Sequence, residues 1–284
     1  MPASEKHHVI ERIFDRLWDA PSQSLTRTVV TMQDVVEAIN WANANRGTNL
    51  SNRNPANFMK DVVRGFGGSK MWPQRLRALR WTAEQRPGGS NVFEFIPYAQ
   101  GQTDPFPNPF AYRPGITPDH EVQSLSIPVA TKELGRNDET YLIQIAVKLA
   151  VVETHFALES PHKTKVLQMH HLQTGIKLSI SEIDSMYLAT ALGDDDRPQQ
   201  VVITAEAKKR GQRILEDQIK RQVAAAFRAM PLINRVIPIA MTSIDQGIYI
   251  AEFKHVDRPE LTAFTELELV GEGFYKLVPR VKGI

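Results

Sequence analysis

The sequence predicts an α/β protein: a mixed sheet flanked by helices, preceded by a smaller helical unit that ends in a hairpin. Three observations carry that expectation. In the second half, short β-branched runs such as Val201-Val202-Ile203-Thr204-Ala205 alternate with helical periodicity. The first half shows mainly helical spacing of apolar side chains, then two strand-like runs around Arg86-Pro87-Gly88-Gly89-Ser90. Between the halves, residues 101–118 are crowded with Pro, Gly and Asn, the composition of a connection. The chain therefore divides into an N-terminal helix (1–25), a smaller domain with its linker (26–118) and a larger domain (119–284).

The elements follow in order. Ile10, Ile13, Phe14, Leu17 and Trp18 give residues 1–20 a helical stripe. A second helix starts at the N-cap Thr31, runs through Val35, Val36, Ile39 and Trp41, and stops at Gly47. A third begins near Pro55 and includes Phe58, Met59, Val62 and Val63, with Gly65, Gly67 and Gly68 as turn residues after it. The hairpin joins Leu79–Thr82 to Val92–Ile96. The second half opens on a long helix from the N-cap Asn137 through Leu142, Ile145, Leu149, Val152 and Phe156. Strands are expected at about 165–172, 179–190 and 200–208, then a helix from Gln212 to Met230. Further strands are expected at about 234–242, 247–254 and 273–279.

At 284 residues with 42% hydrophobic and 23% charged side chains, the composition is that of an ordinary globular protein. The absence of cysteine excludes disulfides and thiolate metal sites. No apolar run approaches the ~18 residues of a membrane span, so a cytoplasmic protein with no membrane partner is expected. The net charge of +2 conceals two basic segments. Residues 51–90 hold eight Lys and Arg against two acids, and residues 207–235 do the same, a local +6 in each. Such segments suit contact with a polyanion; two solvated helical faces are the plainer alternative.

Two strands of the second half carry the chemistry. Asp184 lies in the apolar strand that begins at Ile183, and Glu206 and Lys208 end the next one. The acidic turn Gly193-Asp194-Asp195-Asp196-Arg197-Pro198 lies between them. Residues two apart on a strand share a face, so Glu206 and Lys208 project together, and hairpin pairing brings Asp184 alongside. Two carboxylates with an ammonium suit a hard cation; Mg²⁺ takes oxygen ligands at about 2.0–2.1 Å and keeps several waters. A lysine beside it orients a water and offsets charge building on a phosphate. Taken alone, an acid-x-lysine tripeptide is ordinary surface alternation. The apolar run before Glu206 and the basic, Gln-rich helix after Lys208 set this one apart.

This order of residues resembles the PD-(D/E)xK nuclease superfamily, whose members include many restriction endonucleases. The resemblance spans about residues 137–242 and implies a core of helix, three strands, helix and strand. By position Asp184 is the family's Asp, Glu206 the acid of the (D/E)xK element and Lys208 its lysine; Ile183 stands where the named motif has Pro. The resemblance implies Mg²⁺, with Mn²⁺ as a substitute, held by Asp184, Glu206 and the Ala207 carbonyl, with Lys208 positioning the attacking water. It also implies products with 5′ phosphate and 3′ hydroxyl ends. Glu153, at the edge of the long helix's apolar stripe, looks like the Glu that the family's first core helix often brings near the metal; otherwise it is an edge residue reaching solvent. Gln218 and Gln222 flank the inward face of the following helix, where similar superfamily members use Gln to orient DNA or the site. Gln218 is the expected DNA contact.

Residues 26–100 resemble a winged helix-turn-helix in layout: helix, polar turn, helix, basic hairpin. The resemblance implies that Arg53, Asn54, Asn57, Lys60 and Arg64 face the duplex, with Lys70 and Arg86 on phosphates. Arg and Asn suit bidentate contacts with guanine and adenine edges. The alternative is a small helical packing domain. A zinc hydrolase is disfavoured, since His170 and His171 are adjacent on a strand and no H-x-x-x-H occurs. No phosphate-loop spacing appears either.

The function implied is a Mg²⁺-dependent, site-specific endonuclease acting on double-stranded DNA, as a homodimer because cutting both strands needs two sites. Alternatives are a repair, RNA-directed or methylation-dependent nuclease, or a non-catalytic DNA-binding regulator on a decayed nuclease core. Intact Asp184, Glu206 and Lys208 argue against the last.

Overall fold

The computed structural model describes residues 5–65, 68–178, 181–193 and 195–284. Gly67, the first two positions of the expected strand at 179–190, and Asp194 of the acidic turn lie outside the described residues. The chain forms two compact units, Met1–Pro109 and Phe110–Ile284.

The N-terminal unit contains α1 (Lys6–Leu17), β1 (Trp18–Asp19), β2 (Ser24–Leu25), β3 (Val29–Thr31) and α2 (Met32–Arg46). A 3₁₀ turn (Pro55–Asn57), α3 (Lys60–Arg64), α4 (Gly68–Met71), α5 (Gln74–Ala78), β4 (Trp81–Gly88) and β5 (Asn91–Pro97) follow. α2 opens on a capping box: the Asp34 N–H donates to Thr31 Oγ1 (3.3 Å) and the Thr31 N–H to Asp34 Oδ2 (2.9 Å). Gly47, at φ 65°, stops it. α1 buries Val9, Ile10, Ile13 and Phe14, and the Phe14 ring meets Phe95 edge-on at 5.3 Å. The sheet is antiparallel, ordered β3-β5-β4.

The helix expected from Pro55 does not form as one piece. Only Lys60–Arg64 is α-helical, because no side chain caps the chain at Asn54 or Met59 and Gly65 ends the turn. α4 and α5 occupy a stretch without an expected helix. They are four and five residues long, too short for periodicity to register, and are anchored by buried Trp72 and Leu76.

The C-terminal unit contains β6 (Asp119–Gln123), α6 (Val129–Glu133), α7 (Glu139–Lys148), α8 (Val151–Leu158), β7 (Val166–Lys177), β8 (Glu182–Leu192) and β9 (Pro198–Lys208). Then come α9 (Glu216–Ala229), β10 (Arg235–Ile244), β11 (Gly247–Phe253), β12 (Val256–Asp257), a 3₁₀ turn (Arg258–Ala263) and β13 (Leu269–Val278). The architecture is mixed α/β. Seven strands run in the order β6-β13-β11-β10-β9-β8-β7, and β12 pairs with β10 outside that path. β7, β8 and β9 form an antiparallel meander, and after α9 the chain returns as β10, parallel to β9.

α7 and α8 pack on one face of this sheet with Val201, Ile203, Ala205 and Ala207 of β9. On the other, Val223, Ala226 and Phe227 of α9 pack with Val202 and Val236. The single helix expected over 137–156 is broken into α7 and α8, which bend by 63°. Ala150 sits in the left-handed region at φ 50° and Asp138, not Asn137, is the first cap, its Oδ1 accepting from the Tyr141 N–H at 2.7 Å. The break lets α8 bury Val151, Val152, His155 and Phe156 as a stripe of its own. Among the described residues no single helix is long and apolar enough to cross a membrane.

Candidate active site

The antiparallel ladder between β8 and β9 pairs Ser185 with Ala205 and ends there. Beyond that pair both strands continue without a mutual ladder, and Asp184, Glu206 and Lys208 stand at this parting. Side chains alternate along a strand, so Thr204, Glu206 and Lys208 share with Val202 the face that α9 covers.

Glu206 and Lys208 are each 3% exposed, the burial of an apolar core residue. They tolerate it by satisfying one another: Lys208 Nζ donates to Glu206 Oε1. The other carboxylate oxygen, Oε2, accepts from Nε2 of Gln222, itself 1% exposed on α9. Gln222 Nε2 also reaches the Glu182 carbonyl at 3.2 Å, tying the start of β8 to the same helix. Asp184 Oδ2 accepts from the Ala207 N–H at 2.9 Å, replacing the ladder bond that β8 would otherwise have supplied. Within a strand a residue's N–H and C=O project to the same side. The Ala207 carbonyl is therefore turned toward the Asp184 side.

Burial pushes the Asp184 carboxyl up to about 7, and the neighbouring Glu206 charge adds to the rise; the Ala207 N–H and Lys208 act in the opposite direction. Two carboxylates compete here for one ammonium. All the donors are oxygens, the set preferred by Mg²⁺ rather than by a thiophilic metal. Thr204 Oγ1 and Gln222 Oε1 are buried without a hydrogen-bond partner among the described residues, so further lone pairs remain for water or a hydrated ion. Asp184, Glu206 and the Ala207 carbonyl thus fit a hard divalent cation.

Glu153 does not join this group. Its electrostatic neighbours are His170 and Tyr187, and Tyr187 packs on the α7–α8 face of the sheet. Burial pushes its carboxyl up, against its own backbone N–H and His170, and its Oε2 is buried without a partner among the described residues. Gln218 lies one turn before Gln222 on α9, half-buried, with its Oε1 turned away from solvent and unpartnered among the described residues. The glutamine that reaches the carboxylates is Gln222.

Arg53, Asn54, Asn57, Lys60 and Lys70 are exposed, and Arg64 is half-buried. Arg86 is exposed but engaged by Glu94 at 2.8 Å and Glu84 at 3.4 Å. Among the described residues, one group of three potential metal ligands converges: His7, His8 and Glu11 of α1, with ligand atoms within 4.8 Å. It is a helical cluster of the N-terminal unit, and the spacing i, i+1, i+4 was its only sequence signal. Comparison with protein-family models, curated proteins and solved structures returns no match to this chain.

Proposed function

We propose that the chain is a Mg²⁺-dependent endodeoxyribonuclease of the PD-(D/E)xK type, similar to stand-alone type II restriction enzymes and acting on double-stranded DNA as a homodimer. One observation carries this reading: Asp184, Glu206 and Lys208 converge, buried or half-buried, where β8 and β9 part. Burying charge is costly, and a buried ion pair is poor evidence of stabilisation, so a fold that keeps this one has a use for it. The helix pair, the three-strand meander, α9 and then β10 also follow the element order that the sequence resemblance implies. In the N-terminal unit, the helices followed by the β4–β5 hairpin support a winged-helix-like reader.

Asp184, Glu206 and the Ala207 carbonyl would hold the ion, which supplies Lewis acidity and a nucleophilic water at neutral pH. Gln222 fixes the plane of the Glu206 carboxylate, and the Ala207 N–H fixes that of Asp184. Lys208 brings a flexible ammonium with three donors to the same face, suited to orienting the attacking water and to meeting charge on the phosphate. The water oxygen bonds to phosphorus as the bond to the 3′ oxygen breaks, leaving a 5′ phosphate and a 3′ hydroxyl.

The test is digestion of one plasmid of known sequence, methylated and unmethylated, with Mg²⁺. Discrete fragments are expected from the wild type, and none from Asp184→Ala or Lys208→Ala, both of which keep binding duplex DNA in a gel-shift assay. Turnover by Lys208→Ala at the wild-type rate contradicts the assignment.

A further inference from the structure

Both oxygens of Glu206 are taken before any ion arrives. Oε2 holds the Gln222 amide, a neutral donor that remains compatible with a cation bound to the same carboxylate. Oε1 holds the Lys208 ammonium, and an ammonium is not neutral. The pair is 4% exposed on each side chain, so water screens it little. A dication sharing Glu206 with an ammonium still in contact would face a like charge across a few ångströms of poorly screened interior. Gln222 and the β9 backbone hold Glu206 in place, whereas the Lys208 ammonium ends a four-carbon stem with several rotatable bonds. The ammonium is the partner that has to move.

We propose that Lys208 is the site's own counter-ion in the metal-free protein and competes with the divalent cation for Glu206. This rests on the metal-dependent reading above and extends it: the lysine assigned to chemistry also sets the affinity for metal, and sets it low. Asp184 and Glu206 share a single ammonium, so the metal-free site is held together by a group that metal binding must displace. Removing that group leaves the two carboxylates without the ammonium they share, a worse interior and a better metal site. Lys208→Met therefore separates metal binding from cleavage in opposite directions.

The experiment measures Mn²⁺ binding to the full chain without DNA, from the loss of the free-ion electron paramagnetic resonance signal. Lys208→Met is expected to bind Mn²⁺ about tenfold tighter than wild type or more, the effect of one poorly screened unit charge removed beside the ion. Lys208→Arg, which keeps the charge, is expected to stay within a few-fold of wild type. Lys208→Gln serves as the neutral variant if the methionine form does not fold by circular dichroism. Equal or weaker binding by the folded neutral variant overturns the competition while leaving the metal site in place. No Mn²⁺ binding by wild type and neutral variant alike, or unchanged binding in Asp184→Ala, overturns the metal-dependent reading itself.

Discussion

Asp184 ties the chemistry of the site to the stability of the protein. Its carboxyl binds a proton more tightly when folded than when unfolded, because burial and the Glu206 charge both oppose ionisation. That contribution to stability is fully present below the unfolded value of 3.8 and is lost as the pH rises through the interval up to about 7. Asp184→Asn removes the charge and keeps an acceptor for the Ala207 N–H. The variant is expected to gain stability over wild type as the pH rises through that interval, reaching a constant advantage of about 1–3 kcal/mol above it. Urea midpoints at matched pH values, without divalent ions, measure the difference. A gain that does not grow with pH would show that the fold imposes no such cost at Asp184. Saturating Mg²⁺ should cancel the advantage, since a ligand bound only by the folded wild type stabilises it.

At the scale of elements, what holds α9 in place matters, because α9 carries Gln222 to Glu206. Carbonyls at its C-terminus and in the turn beyond it are gathered by one side chain from the 3₁₀ turn after β12. Arg258 donates to the carbonyls of Phe227 (3.1 Å), Met230 (2.7 Å) and Ile233 (2.7 and 2.9 Å), with its guanidinium 4.8 Å from the Phe227 ring centre. A cation at this end also complements the helix dipole. Arg258→Ala strands several carbonyls and is expected to cost roughly 2–4 kcal/mol, read from chemical denaturation. Arg258→Lys should recover only part, since one ammonium cannot fork across three carbonyls. A cost under about 0.5 kcal/mol would mean that water replaces the guanidinium there.

The same contrast explains what was legible in the sequence. β8, β9 and α9 were, because buried strands read as apolar runs and α9 keeps one amphipathic stripe; the acids stood out as interruptions of those runs. Glu206 and Lys208 were placed together by strand alternation alone. The break at Ala150 was not legible, since no Gly or Pro marks it and both helices are apolar. β6 was not legible either: its five residues alternate around polar side chains and pair in parallel with β13, more than a hundred residues later. Glu153 was legible as an acid at the edge of an apolar stripe, but the sheet face it lies on was not.

Over the whole molecule, the charge that looks available for DNA is smaller than the sequence suggests. In the second basic segment Lys208 is taken by Glu206, Arg210 by Asp245 and Arg235 by Asp257. In the first, Arg75 is paired with Asp15 and Arg86 with Glu84 and Glu94. Arg53, Lys60 and Lys70, exposed in the N-terminal unit, take part in no ion pair among the described residues, so on the proposed reading Lys60 joins Lys70 as a phosphate contact in place of the paired Arg86. Asn57, exposed in the turn before α3, and Arg64, at the end of α3, are the expected base readers. The two classes separate by measurement. Base-edge contacts carry discrimination of about 1–3 kcal/mol each, whereas phosphate contacts weaken all sequences alike and lower the salt dependence. Asn57→Ala or Arg64→Ala should therefore change which sites are cut, while Lys60→Ala and Lys70→Ala should lower affinity uniformly and flatten its salt dependence. The comparison is binding of each variant to the preferred site and to its single-base variants, at two salt concentrations. A fragment beginning at Phe110 that cuts the same sites with the same selectivity would move recognition out of the N-terminal unit and into loops of the sheet domain. Loss of selectivity with retained, weaker cutting is the expected result.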